Sequence, residues 1–236
     1  MRSCLAIIPA RGGSKRIPRK NIKEFFGKPI ISYSIDAAKL SGCFNEIMVS
    51  TDDKEISKIA KAYGANVPFF RSEKTSTDYA GLSDVIEEVI QEYIRINRFF
   101  EFICCILPTA PFISAVKIKK ACELLLNSNS SGIISIVKYS YPIQRAFKID
   151  CNNLKMMWPE NYNIRSQDLI PAYHDAGQFY FLRAERILKS KKIFMDNVMG
   201  IEIPEIEVQD IDTEDDWKTA ELKYSIIKKS REALYE

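Results

Sequence analysis

Short apolar runs alternate with amphipathic stretches over the first 140 residues or so. The pattern predicts strands at 5–8, 46–50, 66–70, 102–107 and 132–138, separated by helices at 32–40, 54–63, 82–96 and 115–126. In the third helix Val85, Ile86, Val89, Ile90, Tyr93 and Ile94 recur at three- and four-residue spacing, which lines one face of a 3.6-period helix. The strands are almost continuously apolar, and each is followed by a crossover helix. That combination belongs to a parallel sheet covered on both faces, so the expected fold is doubly wound α/β with a mostly parallel sheet.

The regularity breaks after Lys138. Residues 139–180 are polar, aromatic and irregular, with Pro142, Pro159, Pro171, Trp158, Tyr162 and Tyr173 among them. Such a segment suits a substrate lid, a small subdomain or an oligomer contact. Strands are then expected at 178–182, 200–203 and 206–208, with a short helix at 184–189. A last helix begins at Thr213, where Asp216 three places on completes a capping-box-like pair. No internal repeat or linker interrupts the chain, which reads as one domain over 1–236 with 139–180 as an insertion.

Composition narrows the classes. A chain of 236 residues, 46% hydrophobic, can bury about 70% of its unfolded surface without a disulfide or metal staple. The net charge of +3 is too small for bulk attraction to nucleic acid. Six cysteines with no C-x-x-C spacing, and one histidine, His174, leave a structural zinc almost no ligand set. Cys104 and Cys105 sit in an apolar run and read as buried small residues. The apolar stretch at the N-terminus is too short for a signal-peptide core, and no 18-residue apolar run follows. Free thiols without an export signal or a membrane span point to the cytoplasm.

The basic charge is unevenly placed. Five of the ten residues from Arg11 to Lys20 are Arg or Lys, and Gly12-Gly13 lie just past the first strand. In open α/β sheets ligands bind beyond the carboxyl ends of the strands. Glycines admit backbone N–H groups close to an anion, and nearby guanidinium and ammonium groups neutralise it. A triphosphate is the small ligand that most needs such a loop. Neither a Walker A pattern nor a G-x-G-x-x-G fingerprint is present. A solvated basic run on nucleic acid accounts for the charge, but not for its place after a buried strand or for the glycine pair.

Near the other end, Asp210-Ile211-Asp212 follows a predicted strand, and alternation puts both carboxylates on one side. Facing a triphosphate, they would hold a hard cation such as Mg2+. The alternative is that Asp212, Glu214, Asp215 and Asp216 decorate a helix N-terminus, where negative charge is favourable.

The run from Ile8-Pro9-Ala10-Arg11-Gly12-Gly13-Ser14-Lys15-Arg16 to Ile17-Pro18-Arg19-Lys20-Asn21 resembles the opening signature of the CMP-nonulosonate synthetases, cytidylyltransferases that activate sialic-acid-like nine-carbon sugars. Gly12 and Lys15 depart from the opening typical of Kdo cytidylyltransferases. Phe70-Arg71-Ser72 with Asp78 and Asp84, Leu107-Pro108-Thr109-Ala110-Pro111-Phe112 and Asp210-Ile211-Asp212-Thr213 extend the resemblance over nearly the whole chain. The extra phosphatase-like domain some relatives carry is therefore not expected within these 236 residues. Tyr141-Pro142-Ile143-Gln144-Arg145-Ala146 and Asp175-Ala176-Gly177-Gln178-Phe179-Tyr180 resemble the pseudaminic acid branch, with N-acetylneuraminic and legionaminic acids as alternative substrates.

The resemblance implies a nucleotide-diphospho-sugar transferase-like fold. The implied reaction is attack of a sugar acid's anomeric hydroxyl on the α-phosphorus of CTP, releasing pyrophosphate. Ala10, Gly12 and Gly13 would line the phosphate site. Arg11, Ser14, Lys15 and Lys20 would hold phosphates, Asn21 would close the loop, and Asp210 and Asp212 would hold Mg2+. Arg11, Lys20 and the two aspartates form the catalytic set. Arg71 would contact the cytosine, with Asp78, Pro108 and Thr109 alongside. Gln144, Arg145, Arg165, Tyr173 and Gln178 are the sugar candidates. Arg165, then Arg145, suits the sugar carboxylate, because a planar guanidinium pairs with two oxygens at once. Gln144 stands where acylneuraminate relatives often place a lysine. His174 is expected to pack or hydrogen-bond a loop. No residue stands out as a general base. The family also implies a homodimer formed through the 139–180 insertion.

Overall fold

The computed structural model describes residues 3–232. β1 (Cys4–Pro9) opens the chain, and a tight hairpin of β2 (Glu24–Phe25) and β3 (Lys28–Pro29) precedes α1 (Ile31–Ser41). Phe26 and Gly27 both have positive φ at the hairpin's tip, 48° and 82°, which matches the right-handed twist of the flanking strands. Then come β4 (Glu46–Ser50), α2 (Lys54–Ala62), α3 (Glu73–Ser76), α4 (Leu82–Arg95), β5 (Phe102–Ile106), α5 (Ala115–Leu126) and β6 (Gly132–Lys138). The insertion contributes a hairpin of β7 (Phe147–Asp150) and β8 (Asn153–Met156). β9 (Tyr173–Arg183), α6 (Ala184–Ser190), β10 (Val198–Glu202) and α7 (Glu214–Glu232) complete the order.

The main sheet has the order β10-β6-β9-β5-β1-β4. β1 pairs in parallel with β4 and β5, and β10 with β6, while β9 runs antiparallel to both its neighbours. Ala6, Ile8, Cys104 and Ile106 face α1, α2 and α5, and Leu5, Ile7, Ile103 and Cys105 face α4 and α6. Each fully buried aliphatic side chain contributes roughly 1.5–3 kcal/mol. Cys104 and Cys105 are fully buried, as the sequence predicts, and burial pushes both thiols up.

Several elements differ from expectation. Residues 66–70 form no strand: Asn66 makes one parallel bridge to Met48, and Pro68, lacking an N–H, cannot extend it. Residues 206–208 are also not a strand, since Glu205–Glu207 is a 3-10 turn after Pro204. β9 starts at Tyr173, inside the stretch expected to be irregular, and the insertion carries its own hairpin. The expected helices stand within a residue or two of their predicted ends. Among the described residues no helix is long and apolar enough to cross a membrane.

Candidate active site

β1 delivers the basic loop to the carboxyl edge of the sheet, between β4 and β5. Successive strands leave β1 in opposite directions here, which opens a crevice. Ala10 is fully buried and its N–H donates to the Ser50 carbonyl at 2.8 Å, so the loop starts from a fixed point. The Gly12 N–H donates to Asp52 Oδ1 at 2.8 Å. A Cβ on Gly12 would lie 2.8 Å from Asp53 Oδ2 and 3.0 Å from its Cβ, whereas one on Gly13 would meet nothing within 4 Å. Gly12 therefore answers a close approach inside the protein, and Gly13 leaves open space. The Ser14 N–H turns back onto the Gly12 carbonyl at 3.1 Å. Asn21 is buried, and its side-chain amide donates to the Arg11 carbonyl at 2.9 Å, tying the two ends of the loop together.

Every cation of the loop is paired. Arg11 and Lys15 each reach Asp78 at 2.6 Å. Arg16 reaches Asp212 at 2.9 Å, and Lys20 donates to the Ile211 carbonyl at 2.5 Å with Asp212 Oδ1 at 3.4 Å. Arg19, in the left-handed region with φ 57°, turns outward to Asp53 and Glu55.

The loop and the acidic segment meet because of their apolar residues. Ile17 from the loop and Ile211 from between the aspartates are both buried in a third cluster with Phe25, Ile30, Tyr33 and Trp217. Ile211 faces inward and Asp210 and Asp212 face away from it, so alternation holds even though the segment is an extended connection rather than a strand end. Partial dehydration, then the charge of Asp212, raises the Asp210 carboxyl above the ordinary aspartate range, while Lys20 opposes the shift. Thr213 and Asp216 exchange backbone and side-chain hydrogen bonds at 2.8 and 3.2 Å, so the predicted capping pair starts α7.

Two clefts share Leu107 as a wall. The first, about 290 Å3, is lined by Pro9, Arg11, Arg71, Thr77, Asp78 and Leu107. Arg71 is buried, with Nε on Ser50 Oγ at 3.0 Å and Nη2 on the Ser50 carbonyl at 2.7 Å, and burial lowers its pKa. Pro108 is buried and Thr109 half-buried just beyond Leu107. The second cleft, about 450 Å3, is lined by Leu107, His174, Asp175, Tyr180, Asp210 and Lys223 among others. A bulge in β9 opposite Ser135 shapes it: Ile134 pairs with Tyr180 and Ile136 with Asp175, which lets the Tyr180 hydroxyl donate to Asp175 Oδ2 at 2.5 Å. Lys223 enters from α7 and donates to the Val208 carbonyl at 2.7 Å.

None of the five sugar candidates lines this second cleft. Gln178 is buried, its amide held by the Glu207 carbonyl at 2.5 Å, so its side chain anchors β9 rather than projecting into the cleft. Gln144 donates to the Ile170 carbonyl at 2.8 Å and Arg145 to the Ile164 carbonyl at 2.7 Å, both within the insertion. Arg165 pairs with Asp168 at 2.7 Å, and Tyr173 is exposed at the start of β9. His174 packs on Tyr139 with ring centroids 4.6 Å apart, as expected, yet also borders the cleft. Sequence reasoning missed Asp52, Asp175 and Lys223. Asp52 could have been found, since it directly follows a strand at the ligand edge; the other two depend on the bulge and on where α7 packs.

A cytidylyltransferase family model matches residues 5–231. The chain belongs to the cytidylyltransferase family. It is a nucleotidyltransferase of the CMP-sugar synthetase kind. It is 44% identical to pseudaminic acid cytidylyltransferase of Campylobacter jejuni over 94% of this chain and 96% of that one. It is 33% identical to CMP-N,N'-diacetyllegionaminic acid synthase of Legionella pneumophila, over 98% of each. A solved CMP:2-keto-3-deoxy-manno-octonic acid synthetase complexed with CTP superimposes with a TM-score of 0.71 at 15% identity, covering 94% of this chain and 98% of that one. That likeness speaks for the fold alone. Leu107 lines both clefts, and Asp210 lines the second.

Proposed function

We propose that this cytidylyltransferase joins CTP to pseudaminic acid, giving the CMP-sugar and pyrophosphate. The observation that carries the proposal is the cationic loop held against the acidic segment, Arg16 and Lys20 reaching Asp212 while Ile17 and Ile211 share one buried cluster. The 44% identity to the Campylobacter jejuni enzyme supports the choice of sugar. Arg11, Ser14, Lys15 and Lys20 bind the triphosphate, with the backbone of Ala10, Gly12 and Gly13 beside it. Cytosine enters the first cleft toward Arg71, whose Nε and Nη2 are already spent on Ser50. The sugar acid takes the second cleft. Its anomeric hydroxyl attacks the α-phosphorus in line and pyrophosphate leaves toward the loop, so catalysis is chiefly positioning and charge neutralisation.

The donor set fits Mg2+. Asp210 and Asp212 are hard oxygen donors close enough to raise one proton affinity through the other, and Mg2+ is commonly bound by one or two carboxylates plus substrate phosphates. When bound, the ion would neutralise phosphate charge and polarise the attacking hydroxyl. Among the described residues no cluster of three or more His, Cys, Asp or Glu side chains offers a complete protein cage.

The insertion completes the site from a second copy. Its hairpin exposes Ile149, Leu154 and Phe147, and Tyr141 is 84% exposed. Burying these in a homodimer would bring Arg145 or Arg165 of one protomer toward the other's second cleft, which no arginine lines among the described residues.

The test is pyrophosphate release from CTP with Mg2+ and each of pseudaminic, legionaminic and N-acetylneuraminic acids. Release is expected chiefly with pseudaminic acid. Preference for another acid would reassign the substrate, and no release with any would reject the reaction.

A further inference from the structure

Arg11, which lines the first cleft, and Lys15 beside it already hold an anion that belongs to the chain. Arg11 Nη1 and Lys15 Nζ contact different oxygens of one carboxylate, Asp78 Oδ1 and Oδ2, each at 2.6 Å. Asp78 is carried by a short strap, 77–80, with no regular structure. The strap is fixed on both sides. Upstream, Glu88 of α4 accepts the Ser72 N–H and the Ser72 hydroxyl, both at 2.7 Å, together with the Thr75 hydroxyl. Downstream, the Gly81 N–H donates to Asp84 Oδ2 at 2.8 Å. Between these anchors the Asp78 ion pairs are the hydrogen-bonding ties of the strap to the body among the described residues. Tyr79 beside it is 97% exposed.

A nucleotide triphosphate carries several negative charges and needs the same two cations. Phosphate oxygens and the Asp78 carboxylate cannot both sit against Arg11 and Lys15 without close like-charge contact. We propose that Asp78 is an internal stand-in for phosphate. It neutralises Arg11 and Lys15 in the free protein and holds the two cations together at the rim of the cleft that Arg11 lines. It is displaced when the polyanion binds, and the strap moves with it. Asp78 therefore subtracts from nucleotide affinity, as a positioning residue for the two cations rather than a contact of the nucleotide. The inference rests on the cradle described under Proposed function. It deepens that proposal by assigning Asp78 a role opposite in sign to direct binding.

The experiment is calorimetric titration of the full chain with inorganic tripolyphosphate and with CTP, for wild type, Asp78→Asn and Asp78→Glu, at 50 and 300 mM salt. Two exposed ion pairs are at stake, so Asp78→Asn should bind both probes about three- to tenfold more tightly at low salt. The gain should shrink at high salt, where exposed charges are screened. Asp78→Glu should stay near wild type. KM for CTP should fall with Asp78→Asn while kcat does not rise. Unchanged binding by Asp78→Asn overturns the stand-in, and weaker binding overturns it and makes the carboxylate a direct nucleotide contact. If wild type binds neither probe, the cradle itself fails, which separates the two outcomes.

Discussion

Asp53 illustrates how one side chain serves two structures. Its Oδ1 accepts the N–H groups of Glu55 and Ile56, both at 2.9 Å, capping α2, while its carboxylate takes the fork of Arg19 at 2.5 and 3.0 Å. The Arg19 hydrogen bond, helped by the two backbone donors, holds its carboxyl down at about 2 against an ordinary 3.8. A depressed carboxylate stabilises the fold fully above about pH 4, and that stabilisation is lost as pH falls through 2. Asp53→Asn keeps a capping oxygen but loses the ion pair, so urea unfolding at pH 7 should show a loss of about 0.5–1 kcal/mol, screening included. Asp53→Ala should cost about 1 kcal/mol more through the lost cap. The wild-type advantage over Asp53→Asn should vanish between pH 4 and 2; an advantage independent of pH would refute the assignment. At this scale the sequence showed that Gly12 marks a close approach. It did not show that the approach is to Asp53 rather than to a ligand, because the partner comes from another strand's end.

Among the elements, the insertion departs most from its sequence pattern. Residues 139–180 break the helix–strand alternation, yet they contain a hairpin whose cross-strand pair, Ile149 and Leu154, is 76% and 69% exposed. A two-stranded hairpin is marginal by itself in water, and an apolar outward face adds a reason for it to be covered. Light scattering should give a dimer mass for wild type and a monomer mass for Ile149→Lys with Leu154→Lys. Thermal stability of the protomer should change little, because neither side chain packs in its core. A monomeric wild type would remove the dimer. The antiparallel β9 has a physical reason in the same segment. Parallel neighbours are usually joined through a crossover helix, and the chain between β6 and β9 contains no α-helix. The expected strand at 66–70 contains Pro68, which cannot donate to a ladder, and the expected strand at 206–208 winds into a 3-10 turn after Pro204.

At the scale of the whole molecule, the site depends on two segments about 190 residues apart, with Lys20 reaching Ile211 and Asp212. If Arg11 serves the nucleotide and not the general charge, Arg11→Ala should lower kcat/KM for CTP about 10- to 100-fold, the scale of a charge-assisted hydrogen bond. Lys58→Ala, on an exposed position of α2, should leave it unchanged. Equal effects would reduce the loop to bulk electrostatics. The sequence by itself determined the alternation of strands and helices, the glycine-bearing basic loop after β1 and the pairing of Asp210 with Asp212 about an inward Ile211, because each follows from local periodicity and spacing. Only the tertiary structure decided that Ile17 and Ile211 share a cluster, that Asp78 closes on Arg11 and Lys15, and that Asp175, Tyr180 and Lys223 line the second cleft. Those placements come from packing between segments distant in the chain, where burial of apolar surface sets the geometry and the charged groups follow.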